Sequence, residues 1–432
     1  MIDILVLGAT GFTGRLITEV LQTHRERPSF SFGIAGRSQS KLAKLKKDLK
    51  LDDSVQIFDV DVTSEEQVEG VVSQAAVVIN AVGPYWIYGT TVVKACVKLE
   101  RHYVDLTGES YWVKEIINKF DYVATTKGCT IIPSCGLDSL PSDLAVYLSN
   151  RTLKGEAGLD ANIDTSTTAV KMDSTISPGT LGTLISFFEQ VPRHVKQNAN
   201  KPFYLSNVPG GENPPIRLTY SLPHTKPAIY GGFFPLAGGN RAIVQRSWGL
   251  REYDLRKSSV NPPEDKRKSA YGPDFKYDEF LVTATWTSGL LLSLGFAFTV
   301  AFMFLPPVRW IAKKFLSYLP EGPSEHHKKN GRLVVTNVTS STAAPGTPPV
   351  HVRTIIKGQG EAGYYLTSYM ITECALALLL SRPELPELGR EGGVLTPTTA
   401  LGDVLVRRLE ESGKFTFHSE VFTDEDEDRK TR

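Results

Sequence analysis

Ile2-Asp3-Ile4-Leu5-Val6-Leu7-Gly8-Ala9-Thr10-Gly11-Phe12-Thr13-Gly14 follows Met1 and joins an apolar run to a glycine-rich turn. The near-continuous apolar run 2–7 reads as a strand buried on both faces, as in a parallel sheet. Glycines then recur as G-x-x-G-x-x-G, and a helical pattern follows over 13–21. Glycine permits the sharp strand-to-helix turn. Missing side chains let a pyrophosphate approach the backbone, and the helix N-terminus supplies unpaired N–H groups and a positive dipole end. The position between strand and helix distinguishes a dinucleotide loop from a plain tight turn. Gly8, Thr10, Gly11, Phe12, Thr13 and Gly14 are therefore candidate cofactor contacts.

The alternation continues outward. Strand patterns at 30–35, 55–59, 77–81, 102–106 and 130–133 are separated by helical patterns at 41–49, 64–74, 90–99 and 113–126. Strands and helices of these lengths imply βαβ units around a parallel sheet, with ligands at the carboxyl ends of the strands. The fold class is α/β: a Rossmann-type domain over 1–150, then a mixed α+β domain over 151–357. A long hairpin is expected from strand patterns at 333–338 and 350–357 around a turn at 340–349. Residues 358–422 read as helical and 423–432 as a frayed, charged tail.

After the second strand stands Ala35-Gly36-Arg37-Ser38, with Lys41 close behind. An acidic residue here would favour NAD; a guanidinium pairs instead with the 2′-phosphate of NADP. The expected cofactor is thus NADP(H), with Arg37 and Ser38 at the adenosine ribose. Asp61 either accepts from the adenine amino group or caps the helix that follows. The fourth strand ends in Asn80-Ala81-Val82-Gly83-Pro84-Tyr85, beside the nicotinamide half of the dinucleotide. Asn80, Val82 and Gly83 are cofactor candidates there. Catalytic candidates are Tyr85, Cys135 and Asp138, all on loops after strands, with buried packing the alternative for the first two. Glu109 and Asp138 read equally as helix caps.

At 432 residues and 41% hydrophobic, the chain can build sizeable cores in two or three domains. A formal net charge of +1 argues against a nucleic-acid binder. Cys96, Cys129, Cys135 and Cys374 show no pairing pattern, and no His/Cys spacing suits a metal, so none is expected. The chain opens on a core strand and not on a secretory signal, which suggests a cytosolic body. One segment departs from the soluble pattern: 280–308 carries no charge, and its apolar part, 288–308, is long enough to be a membrane candidate. It is broken at Pro306-Pro307 and followed by Arg309, Lys313 and Lys314. Residues 288–314 are thus expected to lie on a membrane or lipid-droplet surface, with a buried core or homodimer helix as the alternative.

Several motifs together resemble the saccharopine dehydrogenase-like oxidoreductases: the glycine loop, the segment 80–85, Tyr103-Val104-Asp105-Leu106-Thr107-Gly108-Glu109, and Pro133-Ser134-Cys135-Gly136-Leu137-Asp138. Gly363-Tyr364-Tyr365 and Gly393-Val394-Leu395-Thr396-Pro397 extend the likeness to nearly the whole chain. The resemblance implies a Rossmann domain, a central α+β domain, and C-terminal helices that return to the start. It also implies kinship with trans-acting enoyl reductases. The expectation is an NADP(H)-dependent reductase of a hydrophobic or lipid-linked carbonyl, imine or enoyl group. Two alternatives stand beside it: a non-catalytic NADPH-binding scaffold at a membrane surface, and a saccharopine reductase, which requires carboxylate-binding arginines in the cleft.

Overall fold

The apolar runs of the first third become strands, and the amphipathic runs between them become helices. The computed structural model describes residues 1–173, 178–199, 201–258, 261–315, 322–343 and 348–423. The first strands are β1 (Ile2–Leu7), β2 (Phe32–Gly36), β3 (Gln56–Asp59), β4 (Ala75–Asn80), β5 (His102–Asp105) and β6 (Thr130–Ile132). All are parallel, in the order β3-β2-β1-β4-β5-β6. The order reverses between β1 and β4, which opens a crevice at their carboxyl ends.

The Leu140–Ala157 helix leads away to a second sheet. Its strands are β7 (Ile163–Met172), β8 (Tyr220–Ser221), β9 (Tyr230–Gly232), β10 (Lys276–Val282), β11 (Arg332–Ser341) and β12 (His351–Gln359). The expected hairpin is the antiparallel pair β11–β12; residues 344–347 of its turn lie outside the described residues. The C-terminal part is not purely helical. β13 (Gly393–Val394) adds to β6 in the first sheet, and β14 (Phe415–Phe422) pairs with β12 in the second. The second sheet thus runs β14-β12-β11-β7-β10-β9-β8. Phe415-Thr416-Phe417-His418 alternates apolar and polar residues, the period of an edge strand, which a helical reading overlooks. The Thr367–Leu380 helix does return, packing on the Phe12–Gln22 helix. There the buried Glu373 carboxylate meets His24 Nε2 at 3.0 Å and accepts from Arg408 Nε at 2.9 Å. The tail beyond residue 423 lies outside the described residues.

The apolar segment forms the Trp286–Met303 helix, followed after a break by the Pro306–Phe315 helix. The first of these presents its small side to the protein. Of its residues only Gly289, Ser293 and Met303 are buried, while Leu291 is 70% and Phe298 63% exposed. A Cβ on Gly289 would stand 2.4 Å from the Gly231 carbonyl oxygen. Ser293 Oγ donates to the Leu218 carbonyl at 2.6 Å and accepts the Phe233 N–H. Close backbone approach thus fixes the helix, and its large apolar side chains face outward. This inverts the pattern of a soluble surface helix.

Candidate functional site

The glycine loop has the shape that a pyrophosphate requires. Gly8 sits at φ +80, and a Cβ there would strike Val82 Cγ2 at 2.8 Å. A Cβ on Gly14 would come within 2.1 Å of the Gly8 carbonyl oxygen, so the helix can dock this closely only on glycine. Gly11 is the N-cap and offers no side-chain acceptor, which leaves N–H groups of the first turn for an anion. Thr10 and Gly11 are exposed, and Phe12 and Thr13 partly so. The Phe12 ring is packed edge-on against Tyr364, with the Lys328 ammonium 5.3 Å from its centroid.

At the ends of β2 and β3 the adenosine side takes form. Arg37 is exposed. Ser38 caps the Gln39–Asp48 helix by accepting the Lys41 N–H. Asp61 Oδ1 accepts both the N–H and the hydroxyl of Thr63, at 2.9 and 2.8 Å. These bonds, then the Arg37 guanidinium, hold its carboxyl below the usual range. Of the two roles read for Asp61, that oxygen serves the turn before the Glu65–Val72 helix.

At the nicotinamide end the strand termini are tied by a buried polar chain. Asn80 Oδ1 accepts the Val82 N–H at 3.0 Å, and its Nδ2 donates to Tyr103 Oη at 3.1 Å. Tyr103 Oη donates to Asp105 Oδ2 at 2.8 Å, and Asp105 Oδ1 accepts N–H groups of Thr107 and Ser134. Burial pushes the Asp105 carboxyl up to about 7 despite these bonds. Gly83 is exposed at the crevice. The helix after β4 starts at Tyr85, earlier than its sequence pattern suggests, because Glu109 caps it from the next loop. Its carboxylate accepts the Tyr85 and Trp86 N–H groups at 2.8 and 2.9 Å.

Two of the three catalytic candidates are packed away. Tyr85 is buried, and its Oη donates to the Asn80 carbonyl at 2.9 Å; it positions the strand ends and does not face a substrate. Cys135 is fully buried beside Cys374, and its thiol donates to the Ile132 carbonyl. Burial pushes that thiol well up, which removes it as a nucleophile. Asp138 is different. It is mostly but not wholly buried, and its Oδ2 is set so that a Cβ on Gly108 would stand 2.7 Å away. Burial raises its carboxyl to about 6. Next to it Ser139 holds a left-handed φ of 101, with its hydroxyl on Asn240 Oδ1. Asn240 Nδ2 in turn donates to the buried Glu279. This second network joins a loop, a helix and a strand far apart in sequence, and no local pattern announces it.

The Ala237–Lys257 helix starts at the cleft, where a Cβ on Gly239 would stand 3.3 Å from the Gly108 carbonyl oxygen. Three of its four arginines are engaged elsewhere: Arg241 with Asp278, Arg246 with Asp121 and the Val394 carbonyl, Arg251 with Thr398; the fourth, Arg256, lies in the last turn, at the far end of the helix. The carboxylate clamp expected of a saccharopine reductase therefore finds no support on this helix.

Fold and loop geometry together define a Rossmann dinucleotide-binding domain. Residues 4–132 match the family model of the saccharopine dehydrogenase NADP binding domain. A trans-acting enoyl reductase of Mycobacterium tuberculosis is 28% identical over 434 residues, covering 95% of this chain and 96% of its own. A lipid droplet localized protein of Caenorhabditis elegans is 26% identical over 428 residues, 93% of this chain and 94% of its own. Among solved structures, saccharopine dehydrogenase (L-Glu forming) of Saccharomyces cerevisiae shares the fold, at 13% identity and a TM-score of 0.52 over 98% of this chain and 100% of its own. The first domain thus matches the saccharopine dehydrogenase NADP binding domain and its cofactor is NADP(H), while the whole chain is similar to trans-acting enoyl reductases and shares the fold of saccharopine dehydrogenase.

Proposed function

We propose that this chain is an NADP(H)-dependent reductase that works at a lipid surface, a lipid droplet in particular, on a hydrophobic carbonyl, imine or enoyl group. The observation that carries the reading is the outward-facing Trp286–Met303 helix. Exposing that much contiguous apolar side chain to water is costly, and a lipid interface removes the cost. β10 and β11 flank the segment in sequence and share one sheet with β7 between them. The chain therefore leaves and returns on one side, which favours an interfacial position over a single crossing. Trp286 and Trp310 near the segment's ends suit an interface. Of the flanking cations, Lys313 and Arg309 already pair with Glu189, so lipid contact rests chiefly on apolar burial. The lipid droplet localized relative adds to this support.

When bound, the reduced nicotinamide supplies a hydride to the substrate carbon. Gly8, Gly11 and Gly14 would hold its pyrophosphate, Arg37 its 2′-phosphate, and Val82 and Gly83 would border the ring. Asp138, protonated, supplies the proton that completes the reduction and is reprotonated from water. The test is NADPH consumption by the full-length protein with long-chain enones or ketones dispersed in a neutral-lipid emulsion. Turnover is expected to be highest on the acid side and to fall as pH rises through about 6, where Asp138 loses its proton. Asp138→Asn should lower kcat by ~10²-fold or more with NADPH affinity unchanged. Tight NADPH binding without turnover on any such lipid would overturn the reductase reading and leave a cofactor-binding scaffold.

A further inference from the structure

An unbroken line of aromatic rings connects the exposed helix to the cofactor crevice. It starts at Phe304, the C-cap of the Trp286–Met303 helix, which is 66% exposed. Phe304 meets Phe188 with centroids 5.2 Å apart, Phe188 meets Phe187 at 5.5 Å, and Phe187 meets Tyr111 at 5.4 Å. Tyr111 meets Trp86 at 5.7 Å, and Trp86 lies in the first turn of the helix after β4, at the nicotinamide end. Trp86, Phe187 and Phe188 are each partly exposed and Tyr111 between them is buried, so the line is open to solvent except at that one ring.

Two ion pairs and a cation–π contact hold this line in place. Glu189 of the Pro178–Gln190 helix binds Lys313 and Arg309 of the Pro306–Phe315 helix, keeping Phe188 against Phe304. The Lys196 ammonium lies 5.2 Å from the Phe187 ring centroid and donates to the Phe188 carbonyl at 2.9 Å. At the inner end Tyr111 Oη is buried, with the Glu109 carboxylate beside it as an acceptor. Burial, with Glu109 beside it, pushes this phenol up, so it stays a neutral O–H donor. A substrate oxygen arriving along the rings would take this O–H in place of the Glu109 carboxylate once the side chain is uncovered, leaving Glu109 its two backbone donors.

Building on the reductase reading, we infer that this line is a binding track for a single acyl chain. It holds an uncharged long-chain carbonyl lipid with its C=O at Tyr111 and Trp86 and its tail trailing past Phe188 to the lipid surface at Phe304. An uncharged head is favoured at the inner end, where Tyr111 is buried beside the Glu109 carboxylate and an anion would meet like charge.

The binding test uses the cofactor-free, full-length protein and long-chain ketones brominated several carbons away from the carbonyl, where the C–Br bond is not activated toward displacement and still quenches tryptophan fluorescence on contact. Quenching should strengthen with chain length, by up to ~2- to 4-fold in affinity per methylene at the longest-reaching positions. It should be largely lost in Trp86→Phe, the tryptophan at the inner end. Phe188→Ala, in mid-track, should weaken long-chain binding ~10-fold or more and leave short-chain ketones and NADPH unaffected, whereas Phe188→Leu should retain most of it. Chain-length-dependent quenching without turnover would keep the track and sink the reductase reading. Turnover indifferent to chain length, with quenching unchanged in Phe188→Ala, would keep the reductase and overturn the track.

Discussion

Arg37 has to separate two dinucleotides that differ by one phosphate. It stands exposed at the end of β2, and Asp61 is a nearby counter-charge in the free protein. A phosphate arriving there gains a planar, bidentate donor that an NAD ribose cannot use. Arg37→Asp should therefore lower NADPH affinity ~10- to 100-fold or more and change NADH affinity less than ~3-fold. Titration by nicotinamide fluorescence measures both, and equal losses would remove Arg37 from the phosphate site. The places of Arg37 and Gly14 in the fold were legible in the sequence because they are set locally: a residue just after a strand, a glycine opening a helix. Tyr85 was not, since what occupies its hydroxyl is the Asn80 carbonyl, brought there by the turn after β4. Cys135 fails as a nucleophile for the same kind of reason, its neighbour Cys374 lying far along the chain.

Among the elements, the alternating strands and helices of the first sheet followed from period and glycine alone, with shifts only at their ends. The Trp286–Met303 helix shows where such reading stops. A continuous apolar run has no face, so its sequence does not say which side meets protein. Gly289 and Ser293 decide it, because small residues alone permit the approach to Gly231 and the bond to Leu218. Leu291, Phe298 and Phe302 are then left outward, none of them used in folding. Changing all three to Ser should leave NADPH affinity and thermal stability nearly intact. The same change should shift the protein from floated lipid droplets to the soluble fraction by ~10²-fold or more, since each side chain buried in lipid contributes up to roughly 1.5–3 kcal/mol. Retained droplet binding would assign the docking to another surface. Loss of folding would instead mean that this face is covered by protein.

Across the whole molecule, one buried carboxyl joins the two sheets. Glu279 on β10 accepts from Ser142 Oγ at 2.9 Å, from Asn240 Nδ2 at 3.2 Å and from Tyr277 Oη at 3.2 Å. Ser142 belongs to the helix that leaves the first sheet, and Asn240 to the helix that starts at the cleft. Burial outweighs these bonds and raises the Glu279 carboxyl from 4.5 to about 7. Between those values the folded protein holds a proton that the unfolded chain has released. Folding is therefore favoured on the acid side of the window, and stability falls as pH rises until it levels off above about 7. Asp105, also at about 7, and Asp138, at about 6, act in the same direction. Glu279→Gln fixes the neutral state and removes that group's share. The wild-type denaturation midpoint should drop between pH 5 and pH 8, with Glu279 contributing on the order of 2 kcal/mol of the change. In Glu279→Gln the slope should be visibly shallower, with the variant gaining relative stability at pH 8. An unchanged slope would mean that Glu279 is ionised in the fold and that its three donors outweigh its burial.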